Sequence, residues 1–209
     1  MQSPVKLYLA SSNSGKLREF RALVASNACG VTHASNACVE IDLLPGFDSL
    51  PSFEENAPTF AENAAGKALH YSRLGDGRVL ADDSGLVVPA LGGAPGVHSA
   101  RYAGPNATNA ERIAKLLGAL RGEAAADRAA YFICAIALAE RGRAIAIMTA
   151  RVDGGILESP RGDGGFGYDP VFYFPPLKKT FAELSSEEKN QFSHRGKAFR
   201  KLLSSLKAP

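Results

Sequence analysis

The period of the hydrophobic positions changes several times along the chain, and each change marks an element. Val5 to Ala10 is a short apolar run rich in β-formers, stopped by the turn-forming cluster Ser11-Ser12-Asn13-Ser14-Gly15. Leu17, Phe20, Leu23 and Val24 then recur at helical spacing with Arg18, Glu19 and Arg21 between them, which predicts a helix from Lys16 to about Ala25. Cys29 to Ile41 has weaker strand character, and Pro45 to Pro58, with three prolines and the Glu54-Glu55 pair, reads as a long exposed loop. Thr59 and Glu62 have capping-box spacing and predict a helix to about Leu74.

Val79 to Ala81 reads as a strand entering Asp82-Asp83-Ser84-Gly85, with Leu86 to Leu91 as the return strand of a hairpin. The segment Gly92-Gly93-Ala94-Pro95-Gly96 is incompatible with regular structure. A second capped helix is expected from Thr108, with Glu111 in the box and Ile113, Leu116, Leu117 and Leu120 inward. Tyr131 to Ala139 and Ala144 to Val152, joined by Glu-Arg-Gly-Arg, predict a long antiparallel hairpin. Val171 to Phe174 is short and β-like, a helical tail starts near Thr180, and Ser193 is the expected N-cap of a last helix carrying Leu202, Leu203 and Leu206 on its apolar face. Helices and strands alternate without a strict βαβ repeat. The fold class is therefore α/β, a mixed sheet with helices on its faces, in one domain over 1–209.

Composition narrows the class. At 209 residues the chain buries roughly 70% of its unfolded surface. With 45% hydrophobic and 22% charged residues it sits near globular averages, against disorder or a coiled coil. A net charge of +3 is too small to imply nucleic-acid or membrane-surface binding, so any anion site has to be built locally. Cys29, Cys38 and Cys134 form no CxxC pair and no even set, which suits a reducing compartment. The longest apolar run, Tyr131 to Ala139, falls short of the ~20 residues of a membrane helix, and Lys6 interrupts the N-terminal apolar stretch. A cytoplasmic protein is expected.

Four constellations carry candidate chemistry. In Ser11-Ser12-Asn13-Ser14-Gly15-Lys16, backbone N–H groups, hydroxyls, an amide and a lysine converge before a helix, as an oligophosphate requires. Leu17 follows the lysine where a Walker A loop has Ser or Thr, so this is not a P-loop, and an ordinary polar turn is the competing reading. Asp82-Asp83-Ser84-Gly85 places paired carboxylates at a strand end, a pattern that suits metal or acid-base work, with a hairpin turn as the competing reading. Strand alternation sends the two carboxylates to opposite faces. Gly164 to Pro170 brackets Phe166, Tyr168 and Asp169 with glycines; either an aromatic there stacks on a nucleobase or Phe166 plugs a core. Lys189 with Ser193-His194-Arg195 offers donors to a carbonyl or phosphate, or a solvated helix face.

Together these segments resemble the inosine triphosphate pyrophosphatase family over nearly the whole chain. The resemblance also rests on Thr59-Phe60-Ala61-Glu62-Asn63-Ala64, on Leu91 to Tyr102, on Ala182-Glu183-Leu184 and on Glu188-Lys189-Asn190. It implies a homodimer, an elongated mixed sheet, two lobes with a cleft, and hydrolysis of the α–β phosphate bond of ITP, dITP or XTP to the monophosphate and pyrophosphate. It implies Mg²⁺ as cofactor, a small-molecule purine nucleotide as partner, and no nucleic acid or membrane. By likeness, Asp83 matches the proton acceptor and magnesium ligand, with Asp82 beside it. Ser11, Ser12, Asn13, Ser14, Gly15 and Lys16 match the triphosphate loop, Lys67 a phosphate-facing lysine, and Ser84 a substrate contact. Phe166, Gly167, Tyr168, Asp169, Lys189, His194 and Arg195 match the segments around the base.

Two positions depart from the family pattern. Ser11 replaces a threonine and keeps the hydroxyl, whereas Glu54-Glu55-Asn56-Ala57-Pro58 replaces an acidic-Thr-Gly turn and leaves open whether Glu54 or Glu55 approaches the metal. Donors from Arg195 or His194 would favour the 6-carbonyl of hypoxanthine and xanthine over the adenine amino group. Two other classes compete: a sensor that binds nucleotide without hydrolysis, and an RNA-binding module using the basic tail from Lys178 to Lys207. Glu183, Glu187 and Glu188 break up that tail's field.

Overall fold

A computed structural model describes residues 5–28, 39–122 and 125–206. Cys29, Cys38, the first part of the weak strand and Lys207 lie outside the described residues. The strands are β1 (Val5–Leu9), β2 (Val39–Leu43), β3 (Arg78–Val87), β4 (Ala129–Glu140), β5 (Arg143–Ile156), β6 (Phe172–Phe174) and β7 (Lys179–Thr180). The helices are α1 (Ser14–Ala28), α2 (Phe60–Tyr71), α3 (Asn109–Ala119), α4 (Ser186–Phe192) and α5 (His194–Ser205). The strands form one seven-stranded sheet in the order β2-β1-β3-β4-β5-β6-β7. It is mixed, as expected: β1 runs parallel to β2 and β3, and β6 runs antiparallel to β5 and β7.

Two compact units divide the chain. The first comprises residues 1–83, 134–150 and 195–209, the second 84–133 and 151–194. In the first, Leu7 and Leu9 of β1, Leu80 of β3 and Cys134, Ile136 and Leu138 of β4 share a core with Phe20 and Leu23 of α1 and Phe199 and Leu202 of α5. Of the periodic positions identified from sequence, Phe20, Leu23 and Leu202 are buried in this core and Leu17, Val24, Leu203 and Leu206 pack against it, whereas Phe199 is a core residue the sequence pattern did not single out. In the second, Ile113 and Leu116 of α3 pack with Phe132, Phe172, Phe174 and Phe181. Cys134 is buried, and among the described residues no helix is long and apolar enough to cross a membrane.

Local signals set several boundaries. Thr108 and Glu111 form the full capping box of α3. Thr59 Oγ1 accepts from the Glu62 N–H at 3.2 Å and donates to the Glu62 carboxylate at 2.7 Å, a variant of the predicted box that still fixes the start of α2. The β4–β5 connection has positive φ at both Arg141 (49°) and Gly142 (73°), the two-residue turn whose twist matches flanking strands, so these strands pair antiparallel as expected. The tail breaks into a single turn at Phe181–Glu183, then α4 and α5, with Ser193 extended between the last two helices.

The hairpin expected around Asp82-Asp83-Ser84-Gly85 is corrected. β3 runs unbroken from Arg78 to Val87, and Pro89–Leu91 is a single helical turn, not a return strand. These four residues carry good local turn chemistry, but Val79 to Asp83 are all buried, and the aspartates take their donors from distant side chains instead of from their own turn backbone. The carboxylates therefore stand in mid-sheet.

Candidate active site

In the first unit the site is assembled on β3 by α1, α2 and α5. Asn13 caps α1: its Oδ1 accepts from the N–H groups of Gly15 (2.9 Å) and Lys16 (3.2 Å), while Ser11 Oγ accepts from Asn13 N–H (3.2 Å). The loop is thus a helix-capping turn, with Ser12, Asn13 and Ser14 exposed and Ser11 and Gly15 buried. Capping puts Lys16 in the first turn of α1, where its Nζ lies 3.0 Å from Asp82 Oδ1 and 3.4 Å from the Asp82 carbonyl.

Lys67 reaches the same carbonyl from α2. Its Nζ donates to Asp82 O at 2.9 Å and is ion-paired with Glu55. Two ammonium groups separated by 51 positions in the chain therefore converge on one backbone oxygen. Burial disfavours the Lys67 cation, but Asp82 and Glu55 outweigh it and raise its pKa.

The adjacent aspartates sit in opposite electrostatic environments. Asp82 is fully buried; burial alone would favour its neutral form, yet Lys16, Arg195 and Lys67 hold it far below the usual carboxylate range. Asp83 is 6% exposed, and burial followed by repulsion from Glu55 pushes it up to about 6. Its Oδ2 accepts from Asn63 Nδ2 at 3.0 Å. Alternation along β3 produces this division: one carboxylate is a fixed counter-ion, the other is close to titrating near neutrality. Of the two candidate glutamates, Glu55 couples to Asp83 and Lys67, whereas Glu54 accepts from Asn56 Nδ2 at 2.8 Å.

Arg195, in the first turn of α5, is 2% exposed. Its Nη2 and Nε lie 3.1 and 3.4 Å from Asp82 Oδ2, and its Nη1 pairs with Glu19. The sequence offers Arg195 or His194 as the donor to a base; in the structure three of the Arg195 nitrogens serve Asp82 and Glu19. Glu19 and Asn63 are the functional partners that sequence reasoning missed. Each had a signal: Glu19 follows Lys16 by three positions on α1, and Asn63 precedes Lys67 by four on α2, so each shares a helix face with an assigned lysine.

The second unit brings another set together. Asp169 Oδ2 accepts from the Phe166 N–H at 2.7 Å and from Lys189 Nζ at 2.6 Å, and Lys189 Nζ lies 4.8 Å from the Phe166 ring centroid. Gly165 is in the left-handed region (φ 72°), and a Cβ there would fall 2.1 Å from Asp169 Oδ2, so this turn admits only glycine. Phe166 and Gly167 are half-buried, as is Ser84. Phe166 is not the core plug: Tyr168 is, with its ring in the core and its hydroxyl donating to Ser99 O at 2.9 Å. His194 is 5% exposed and stacks on Phe132, centroids 4.8 Å apart and planes 11° from parallel.

A structural Tyr168 has a measurable consequence. Tyr168→Phe should cost about 1 kcal/mol by leaving the Ser99 carbonyl unpaired, and should leave KM for nucleotide within twofold. Urea unfolding alongside steady-state kinetics checks this; a raised KM with unchanged stability would return the hydroxyl to the substrate.

Known proteins share these sequences and this fold. A family model described as the Ham1 family matches residues 7–205. The dITP/XTP pyrophosphatase of Geobacillus kaustophilus is 52% identical over 94% of this chain and 92% of its own length, and that of Gloeobacter violaceus 54% identical over 95% and 92%. Among solved structures, a HAM1 protein from Coxiella burnetii superposes with TM-score 0.81 at 44% identity, covering 97% of this chain and 98% of its own. The Staphylococcus aureus Ham1 protein gives 0.80 at 36%, covering 96% and 97%. This chain belongs to the Ham1 family.

Proposed function

We propose that this chain hydrolyses dITP, ITP and XTP, non-standard purine nucleoside triphosphates, to the monophosphate and pyrophosphate, clearing them from the nucleotide pool before incorporation into DNA or RNA. The observation that carries this reading is the pair of ammonium groups, Lys16 and Lys67, meeting at Asp82 beside a carboxylate that titrates near 6. A triphosphate needs its charge compensated before water can approach phosphorus, and two fixed cations supply part of that. Asp83 then takes a proton from the attacking water as the new P–O bond forms and the α–β bridging P–O bond breaks, releasing pyrophosphate. With a divalent cation beside it, Asp83 is held as the carboxylate that can take that proton.

The donor set suits Mg²⁺. Asp83 and Glu55 offer hard oxygen ligands whose mutual repulsion a divalent cation would relieve, and among the described residues no group of three or more His, Cys, Asp or Glu side chains stands ready to hold an ion alone. Magnesium is commonly held by one or two carboxylates together with substrate phosphates. When bound, it would supply further charge neutralisation on the phosphate oxygens. Asp82 acts as the counter-ion that fixes Lys16 and Arg195. Phe166, Gly167, Asp169, Lys189, His194 and Ser84 are assigned to the nucleoside by family likeness, and the same likeness supports a cytoplasmic homodimer.

Product analysis tests the reading: dITP, XTP, dGTP and dATP with Mg²⁺, assaying pyrophosphate and orthophosphate separately. Pyrophosphate from dITP and XTP with little from dATP and dGTP is expected. Orthophosphate as first product, or equal rates on dATP, would refute it.

A further inference from the structure

The segment carrying Glu55 lies along one face of α2 and is held at four places. His70 Nε2 is 3.0 Å from Pro51 O, and Tyr71 Oη accepts from the Phe53 N–H at 3.2 Å. Lys67 pairs with Glu55. Asn63 grips Ala57 twice, accepting from its N–H at 2.9 Å and donating to its carbonyl at 3.3 Å, and with the same amide reaches Asp83. Positions 63, 67 and 70/71 repeat at helical spacing, so a single helix face sets the register of the segment. The middle of that face is Gly66. A Cβ on it would lie 2.6 Å from Cζ and 3.2 Å from Cε2 of Phe53, whose ring also faces His70 at 5.8 Å.

Gly66 is not demanded by the backbone of α2, because it sits inside a helix where alanine is about 0.5–1 kcal/mol better. Its lack of a side chain does serve the Phe53 ring, which sits two residues from Glu55. We infer that Gly66 and Phe53 are a matched positioning pair: the bare helix face seats Phe53, and the seated ring sets the Glu55 carboxylate against Lys67 and beside Asp83. Neither residue touches the reacting groups. Their effect runs through Glu55, so the inference rests on the proposal that Glu55 and Asp83 hold the divalent ion.

Gly66→Leu fills the seat, and adding Phe53→Ala vacates the ring's volume for the new side chain. Two readouts separate positioning from folding: Mn²⁺ binding to the enzyme together with a non-hydrolysable dITP analogue, followed by water-proton relaxation, and the Mg²⁺ concentration for half-maximal dITP hydrolysis. Gly66→Leu is expected to weaken both about tenfold while remaining folded and melting cooperatively. The double variant is expected to recover to within twofold. Glu55→Gln is the reference, expected to weaken both readouts at least as much. If Glu55→Gln leaves them unchanged, the metal reading fails. If Glu55→Gln weakens them but Gly66→Leu does not, or the double variant fails to recover, the positioning inference alone is overturned.

Discussion

Asp83→Asn should lower kcat for dITP by about 10³-fold and leave the protein folded and more resistant to heat. The activity loss follows from removing the carboxylate proposed to accept the proton, since a positioned general base contributes about 10²–10⁴-fold. Asparagine keeps the shape and still accepts from Asn63, so a smaller loss cannot be ascribed to misfolding. The gain in stability comes from the same burial that tunes the group. In the folded protein Asp83 titrates at about 6, and a free aspartate titrates at about 3.9. The folded state thus binds the proton more tightly than the unfolded one, so ionising Asp83 destabilises the fold. That penalty is absent below about pH 4, grows through pH 6, and reaches about 2–3 kcal/mol above it.

Melting with the divalent ion chelated, at pH 4.5 and pH 8, gives the test. The asparagine variant should exceed the parent by about 5 °C or more at pH 8 and by little at pH 4.5. Near-parental turnover would remove Asp83 from the proton-accepting role. An advantage that does not grow with pH would mean the carboxyl is not held in a desolvated setting.

Local chemistry was readable wherever it was self-contained. Thr108 with Glu111 starts α3, and the inward-facing Leu17, Phe20, Leu23 and Leu202 follow from helical spacing alone. Asp82-Asp83-Ser84-Gly85 misled because its local preference is for a turn, and what keeps it extended comes from afar. Arg195 reaches Asp82 across 113 positions and Lys16 across 66. No short-range pattern encodes such pairings. The same distance explains why the Glu54 or Glu55 question stayed open: adjacent residues in a loop differ only in which of them the Lys67 ammonium meets. Phe166 and Tyr168 were similarly inseparable, being alternate aromatics in one glycine-rich turn, until Ser99 supplied a partner for one hydroxyl. Asn63 and Glu19 were more nearly within reach, because each lies on the helix face of a lysine already assigned.

Asp82→Asn should act oppositely to Asp83→Asn, lowering stability first and activity as a consequence. The side chain is wholly buried and is the shared counter-ion of Lys16 and Arg195. Breaking a buried pair by neutralising one partner costs about 3–5 kcal/mol, because the remaining charge has neither water nor a counter-charge. Glu19 still neutralises part of Arg195, which places the expected cost near the lower end, about 3 kcal/mol, or about 10 °C in melting temperature for a chain of this size. Since Lys16, Arg195 and Lys67 hold the folded-state pKa of Asp82 below its unfolded value, its contribution is complete above about pH 4 and is lost as pH falls through the folded value. The parent should therefore lose stability steeply in acid, and the asparagine variant, having nothing left to protonate there, should show a flatter slope. Urea midpoints at pH 3, 5 and 7 measure both quantities. A gap of about 3 kcal/mol that is the same at pH 5 and 7 and has begun to narrow at pH 3 is the expected pattern, and a gap unchanged at pH 3 would assign the loss to packing instead of charge. Nucleotide KM should rise together with the stability loss, since the Lys16 ammonium is anchored by the carboxylate that the substitution removes.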